Sequence, residues 1–150
     1  MADKALQQGS FDQVNYPDEI RSGGLGPCIA VGIFHPSKAT GYMFHAAAPH
    51  LNTLLEEFLR HVVSETKNSK SLRIYICGAS IEDEDEEEEI EQATEARHYV
   101  ESLVRKTLNT AKITISWAKD NVTSELILNT ETGKFSEENI NNSGLLEEAE

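Results

Sequence analysis

Apolar residues recur along this chain with two periods, one suited to strands and one to helices. Ile29 to Phe34 is an apolar run of strand length. Thr40 to Ala46 reads as a second strand, joined to the first by the five residues His35 to Ala39, so the two are expected to pair as a hairpin. Leu51, Leu54, Leu55, Phe58, Leu59, Val62 and Val63 then fall at helical spacing, with Asn52-Thr53 supplying capping residues near a start at His50-Leu51. Leu72 to Cys77 alternates and ends on Gly78-Ala79, which predicts a third strand. A second amphipathic helix is expected from Ile90 through Ala93, Val100, Leu103, Val104 and Leu108. Ile113 to Trp117 and Leu126 to Leu128 give two more strands.

The polar stretches complete the outline. The first dozen residues carry no pattern and read as a loose arm. Phe11 to Ile20 is a short edge strand interrupted by a turn at Pro17-Asp18. Glu82 through Glu89 are eight adjacent acidic residues, so mutual repulsion predicts an exposed or disordered loop over 82–89. Residues after about Ser136 are acidic and polar and are expected to fray. The predicted fold is α+β: a layered sandwich of mixed or antiparallel sheet flanked by two or three helices, a single domain over 1–135 with a flexible acidic tail over 136–150.

Composition narrows the partners. The chain has 150 residues, enough for one domain with its own core, and a formal net charge of −13 from 26 acidic and 13 basic side chains. That balance disfavours nucleic acid, whose phosphates need a basic face, and an anionic membrane surface. No apolar run is long enough to span a bilayer and Met1-Ala2-Asp3-Lys4 does not open a signal peptide, so a cytoplasmic location without membrane insertion is expected. Two cysteines make no disulfide framework, and Cys77, at a strand end, reads as a buried small hydrophobe.

The candidate chemistry lies in Ser22-Gly23-Gly24-Leu25-Gly26-Pro27-Cys28, where a glycine-rich turn delivers a thiol to the start of a rigid strand. Hairpin pairing brings His45 back beside Cys28, and a thiol beside an imidazole is the minimum set for cysteine nucleophilic catalysis. Ser22 offers a hydroxyl to orient the imidazole, although serine in such a turn also serves ordinary turn chemistry. The glycine turn offers backbone donors for an oxyanion, with the Cys28 N–H the natural one, since Pro27 has none. Gly24, Gly26 and Ala46 are the expected substrate-binding positions. His50 is a more distant alternative base. The histidines show no ligand spacing, the cysteines no C-x-x-C, and the acidic block no calcium-loop pattern, so no metal and no cofactor are expected.

These motifs resemble the chemoreceptor glutamine deamidase (CheD) family, within the wider cysteine-dependent glutamine deamidases. The turn ending in Cys28 matches the family's nucleophile turn, and Gly41-Tyr42-Met43-Phe44-His45-Ala46-Ala47-Ala48-Pro49 matches its Gly-x-Met-x-His-x-x-x-Pro segment. Ile74 to Ser80 and Asn129 to Lys134 are similar to its later turns, in order. The resemblance implies Cys28 and His45 as catalytic residues with Ser22 as third member. It also implies deamidation of protein glutamine to glutamate through a thioester, with glutamyl methyl ester hydrolysis as a companion activity. The implied partner is a protein with an exposed glutamine, a chemoreceptor or chemotaxis regulatory protein among them. Pro27 and Ala46 to Ala48 depart from the family pattern and keep open an alternative, a non-catalytic binding or regulatory module on the same scaffold.

Overall fold

A computed structural model describes residues 2–47, 51–67 and 69–141. Its strands are β1 (Asp3–Ala5), β2 (Ser10–Asn15), β3 (Glu19–Arg21), β4 (Ile29–His35), β5 (Thr40–Ala46), β6 (Arg73–Gly78), β7 (Lys112–Trp117), β8 (Val122–Asn129) and β9 (Lys134–Asn141). Two long helices, α1 (Leu51–Thr66) and α2 (Glu87–Thr107), fall between β5 and β7. The strands form a five-stranded sheet ordered β2-β5-β4-β6-β7 and a four-stranded sheet ordered β1-β3-β8-β9. Pairing is antiparallel except for β6 with β7 and β1 with β3. The α+β layered sandwich expected from the sequence is the observed architecture.

The layers follow from alternation along β4 and β5. Ile29, Val31, Ile33, Tyr42, Phe44 and Ala46 point to one side, where they join Leu55, Phe58, Leu59 and Val62 of α1 and Val100 and Val104 of α2 in one core. Cys28, Ala30, Phe34 and Met43 point to the other side and pack with Leu126 and Leu128 of the second sheet. Both faces of β4 are thus covered, which is why its sequence is a nearly unbroken apolar run. Period two places alternate residues of one strand in different cores.

Several elements depart from the sequence expectation. The loose arm instead contains β1, held parallel to β3, where Arg21 bridges Asp3, Glu19 and Glu125 across three strands. The expected acidic loop over 82–89 turns helical at Glu87, where α2 begins. Glu86 is the N-cap of α2, and Glu86 and Glu89 close a reciprocal capping box over its first amides. Carboxylates at a helix N-terminus are favoured by the dipole and satisfy unpaired donors, which offsets the repulsion between neighbours. The fraying expected after about Ser136 does not hold through Asn141, because β9 runs to Asn141 and pairs with β8 along its whole length. Val63, placed in the apolar stripe of α1 from the sequence, is 41% exposed. Residues 142–150, and the Ala48, Pro49 and His50 readings, lie outside the described residues. Among the described residues no helix is long and apolar enough to cross a membrane.

Candidate active site

The hairpin register decides which side chains meet. Ala30 is the direct cross-strand partner of His45, so Cys28, two residues before Ala30, is the diagonal neighbour of His45 on the same face. Diagonal positions of this kind lie about 7–8 Å apart at Cα, within reach of longer side chains. Both groups face the second sheet and both are buried, Cys28 at 5% exposure and His45 at 4%. Cys77 is the partner of Ala30 on the other flank of β4, which puts Ala30 between it and the imidazole.

His45 is held by one ring nitrogen only. Its Nδ1–H donates to the Ser22 carbonyl oxygen at 2.7 Å, which fixes the tautomer and leaves Nε2 as the basic lone pair. Nε2 is buried with no hydrogen-bond partner among the described residues. Burial pushes the His45 pKa below its ordinary value, and the Ser22 bond offsets that only in part, so the ring is neutral near pH 7. Burial alone pushes the Cys28 thiol up. The resting pair is therefore a neutral thiol and a neutral imidazole, without a hydrogen bond between them.

Three sequence expectations change here. Ser22 orients His45 through its carbonyl, not its hydroxyl. The hydroxyl donates to the Gly23 carbonyl at 2.7 Å and accepts the Leu126 N–H at 2.9 Å, tying the segment to β8. The Cys28 N–H is not an open oxyanion donor, since it already bonds the Leu25 carbonyl at 2.6 Å across the Gly26-Pro27 turn. Ala46 does not line the site: it is fully buried in the helix-side core, because a residue next to His45 must face the opposite way. Gly26 sits in the left-handed region at φ 49° with open space where a side chain would stand, and Gly24 is exposed at the same turn.

One residue near Cys28 was not singled out from the sequence. Ser80 donates its N–H to the Gly26 carbonyl at 2.9 Å, and Ala79 donates to the Cys28 carbonyl at 2.7 Å, so the end of β6 is laced to the turn that carries Cys28. The Ser80 hydroxyl is buried and has no hydrogen-bond partner among the described residues. The only sequence signal was its place directly after the Gly78-Ala79 turn.

The lowered histidine pKa values bear on stability. The His35 pKa is also below its ordinary value, chiefly through burial, with Lys38 adding to the effect. Below the ordinary value of 6.5 the unfolded chain takes up protons that the folded chain refuses. Stability is therefore complete above that pH and is lost as pH falls through the lower folded values. Thermal melts should show Tm falling from pH 6.5 downward, and the slope should flatten in a His35→Gln, His45→Gln double variant. An unchanged slope would rule out these two rings as its source.

No family model matches the chain, and no curated protein matches it. Solved structures do. One is a Neisseria meningitidis protein of the family model DUF152, with 9% identity over 70% of this chain and 51% of that one, at a TM-score of 0.47. Another is the Bacillus licheniformis hypothetical protein YfiH, with 12% identity over 72% and 49%, at a TM-score of 0.45. The C-terminal domain of CNFy from Yersinia pseudotuberculosis matches at 13% identity over 81% and 46%, with a TM-score of 0.32. The chain spans about half the length of each of these proteins. The expected membership in the chemoreceptor glutamine deamidase family is corrected: no family model matches the chain, the first two solved structures are a DUF152 and a YfiH protein, and chemotaxis is not indicated. Part of the motif likeness has a backbone cause. Gly78 and Gly133 both adopt positive φ, so those turns require glycine whatever the chain does.

Proposed function

We propose that Cys28 and His45 form the nucleophile–base pair of a cysteine-dependent acyl hydrolase. The observation that carries this reading is the unpartnered Nε2 of His45, its tautomer fixed by the Ser22 carbonyl, on the same sheet face as the Cys28 thiol. A side-chain amide, that of a protein-borne glutamine, is the finer substrate assignment. It is supported by the burial of both groups, which suits a slim extended side chain better than a polypeptide backbone.

In this mechanism substrate entry closes the gap between the two groups, since catalytic hydrogen bonds are commonly long before substrate binds. His45 Nε2 takes the thiol proton as Cys28 Sγ adds to the amide carbonyl. The tetrahedral adduct collapses, breaking the C–N bond, and His45 returns the proton to the departing ammonia. Water then attacks the thioester, again through His45, and releases the carboxylate and the free thiol.

Iodoacetamide, itself a slim primary amide, tests the pair. Peptide mapping by mass spectrometry should show Cys28 alkylated about tenfold or more faster than Cys77. His45→Gln should slow Cys28 and leave Cys77 unchanged, with far-UV circular dichroism confirming the fold. Ammonia release from glutamine-containing peptides tests the amide assignment. Equal, slow labelling of both cysteines, indifferent to His45→Gln, would leave the non-catalytic binding module as the reading.

A further inference from the structure

Arg97, half-buried on α2, reaches across to the ends of two strands. Its Nη2 donates to the Ala79 carbonyl at 2.6 Å and to the Ala118 carbonyl at 3.3 Å, the residues that directly follow β6 and β7. Its guanidinium carbon lies 5.6 Å from the centre of the Trp117 ring. Its Nε is buried with no hydrogen-bond partner among the described residues, and no carboxylate forms an ion pair with it among them. Burial holds its pKa below the ordinary value, and Asp120 offsets that as a more distant charge. A cation that gives up hydration for two neutral acceptors, with one donor left unbonded, is a weak source of stability.

The acceptors gain meaning from what they hold. The Ala79 carbonyl and the Ser80 N–H belong to one peptide group. Arg97 grips that group at its oxygen, and from its other end it donates to the Gly26 carbonyl at 2.9 Å. The preceding peptide group donates from the Ala79 N–H to the Cys28 carbonyl at 2.7 Å, while its Gly78 carbonyl accepts the Ala118 N–H at 2.9 Å. A cation on a peptide oxygen also strengthens the N–H of the same group as a donor. Two successive peptide groups therefore fasten the chain on both sides of Pro27. The local sequence does not favour this shape. Ala79 has φ 55°, in the left-handed region, directly after Gly78 at φ 100°. Glycine adopts such a φ freely, whereas alanine does so only where its surroundings impose it. The Arg97 bond to the Ala79 carbonyl is one such constraint.

We infer that Arg97 is a positioning residue for the nucleophile: it fixes the Ala79–Ser80 peptide group, which seats the Gly26-Pro27-Cys28 segment and so sets the aim of the thiol toward His45. Arg97 touches no substrate in this role and acts through the backbone. The inference rests on the proposed function, and its test separates the two.

Amide hydrogen exchange followed by NMR reports the grip, and the pH profile of iodoacetamide alkylation at Cys28 reports the aim. In Arg97→Met the Ala79 and Ser80 amides should exchange about tenfold or more faster, while Val31 and Ile76, paired in the middle of the sheet, stay protected. The wild-type alkylation rate should level off above pH 6.5, where the lowered His45 pKa leaves the base free. In Arg97→Met it should instead climb about tenfold per pH unit through neutrality, as when only the ionised thiol reacts, with Cys77 unchanged. General loosening of the fold would shift the rate at every pH alike and keep the levelling-off. Ala79→Gly added to Arg97→Met should restore both readouts in part, because glycine holds the positive φ unaided. If Arg97→Met does not fold, Arg97→Gln takes its place in both measurements. Unchanged exchange at Ala79 and Ser80, or a profile of wild-type shape in the Arg97 variant, would overturn the role of Arg97 and leave the catalytic pair standing. Failure of the glycine to restore either readout would overturn the route through Ala79. A wild-type profile that already climbs through neutrality, matching His45→Gln, would overturn the pair itself and the positioning role with it.

Discussion

The wild-type chain should release a burst of nitrophenol from p-nitrophenyl acetate, and Cys28→Ser should abolish it. The burst reports acyl transfer to sulfur, and its amplitude should match the protein concentration when deacylation is slow. A hydroxyl in the same place is a far weaker nucleophile at neutral pH. His45→Gln should keep the thiol but lower the acylation rate about a hundredfold or more, the usual contribution of a positioned base. The pH profile carries a further signature. Because the His45 pKa lies below its ordinary value, the base form persists through neutrality and the acid limb of the profile should fall below pH 6.5. Since burial raises the Cys28 thiol, no thiolate plateau should appear near neutral pH. A burst of unchanged size in Cys28→Ser would remove Cys28 from the chemistry.

Gly78→Ala should be the most damaging single change to stability near the site. Gly78 adopts φ 100°, a conformation that side chains rarely tolerate. A methyl group there would drive into the Cys28 carbonyl oxygen and approach Leu25 Cδ1 at 3.1 Å and the Ile29 Cα at 3.3 Å. Two of those contacts are backbone, which cannot yield without breaking the pairing of β4 with β6. Strain and overpacking together amount to about 4 kcal/mol, or about 10 °C in Tm for a chain of this size. Gly26→Ala is the matched control, since its φ is also positive but nothing stands within 4 Å of the added carbon. It should cost only about 1 kcal/mol. Equal melting temperatures for the two variants would show that the Gly78 contact is relieved by movement of the turn.

The parts of the fold that could be read from the sequence are those whose burial imposes a period. β4, β5, β6 and both helices carry enough apolar side chains to reveal themselves, because each lies against the helix-side core. β1 and β9 do not. Asp3–Ala5 is exposed throughout and exists by pairing with β3. Lys134–Asn141 is mostly polar, and its place depends on the ladder with β8 and on contacts such as Tyr75 and Ser116 donating to Glu137. Hydrogen-bonded pairing leaves little trace in composition when only one face is covered. At the site, the Cys28 and His45 juxtaposition followed from the hairpin spacing. The same alternation would have excluded Ala46, had it been carried one residue further. The Ser22 carbonyl and the buried Ser80 hydroxyl were illegible because backbone acceptors and unsatisfied hydroxyls depend on how distant segments close, not on residue type.

The carbonyl that steadies the imidazole belongs to a segment strapped to Leu126 in the four-stranded sheet, whereas the ring itself grows from the five-stranded one. The orientation of the imidazole is thereby coupled to the registration of two separate slabs. A small slip between them would rotate the base away from the sulfur while every strand stayed intact, so loss of reactivity should precede loss of secondary structure as the interior loosens.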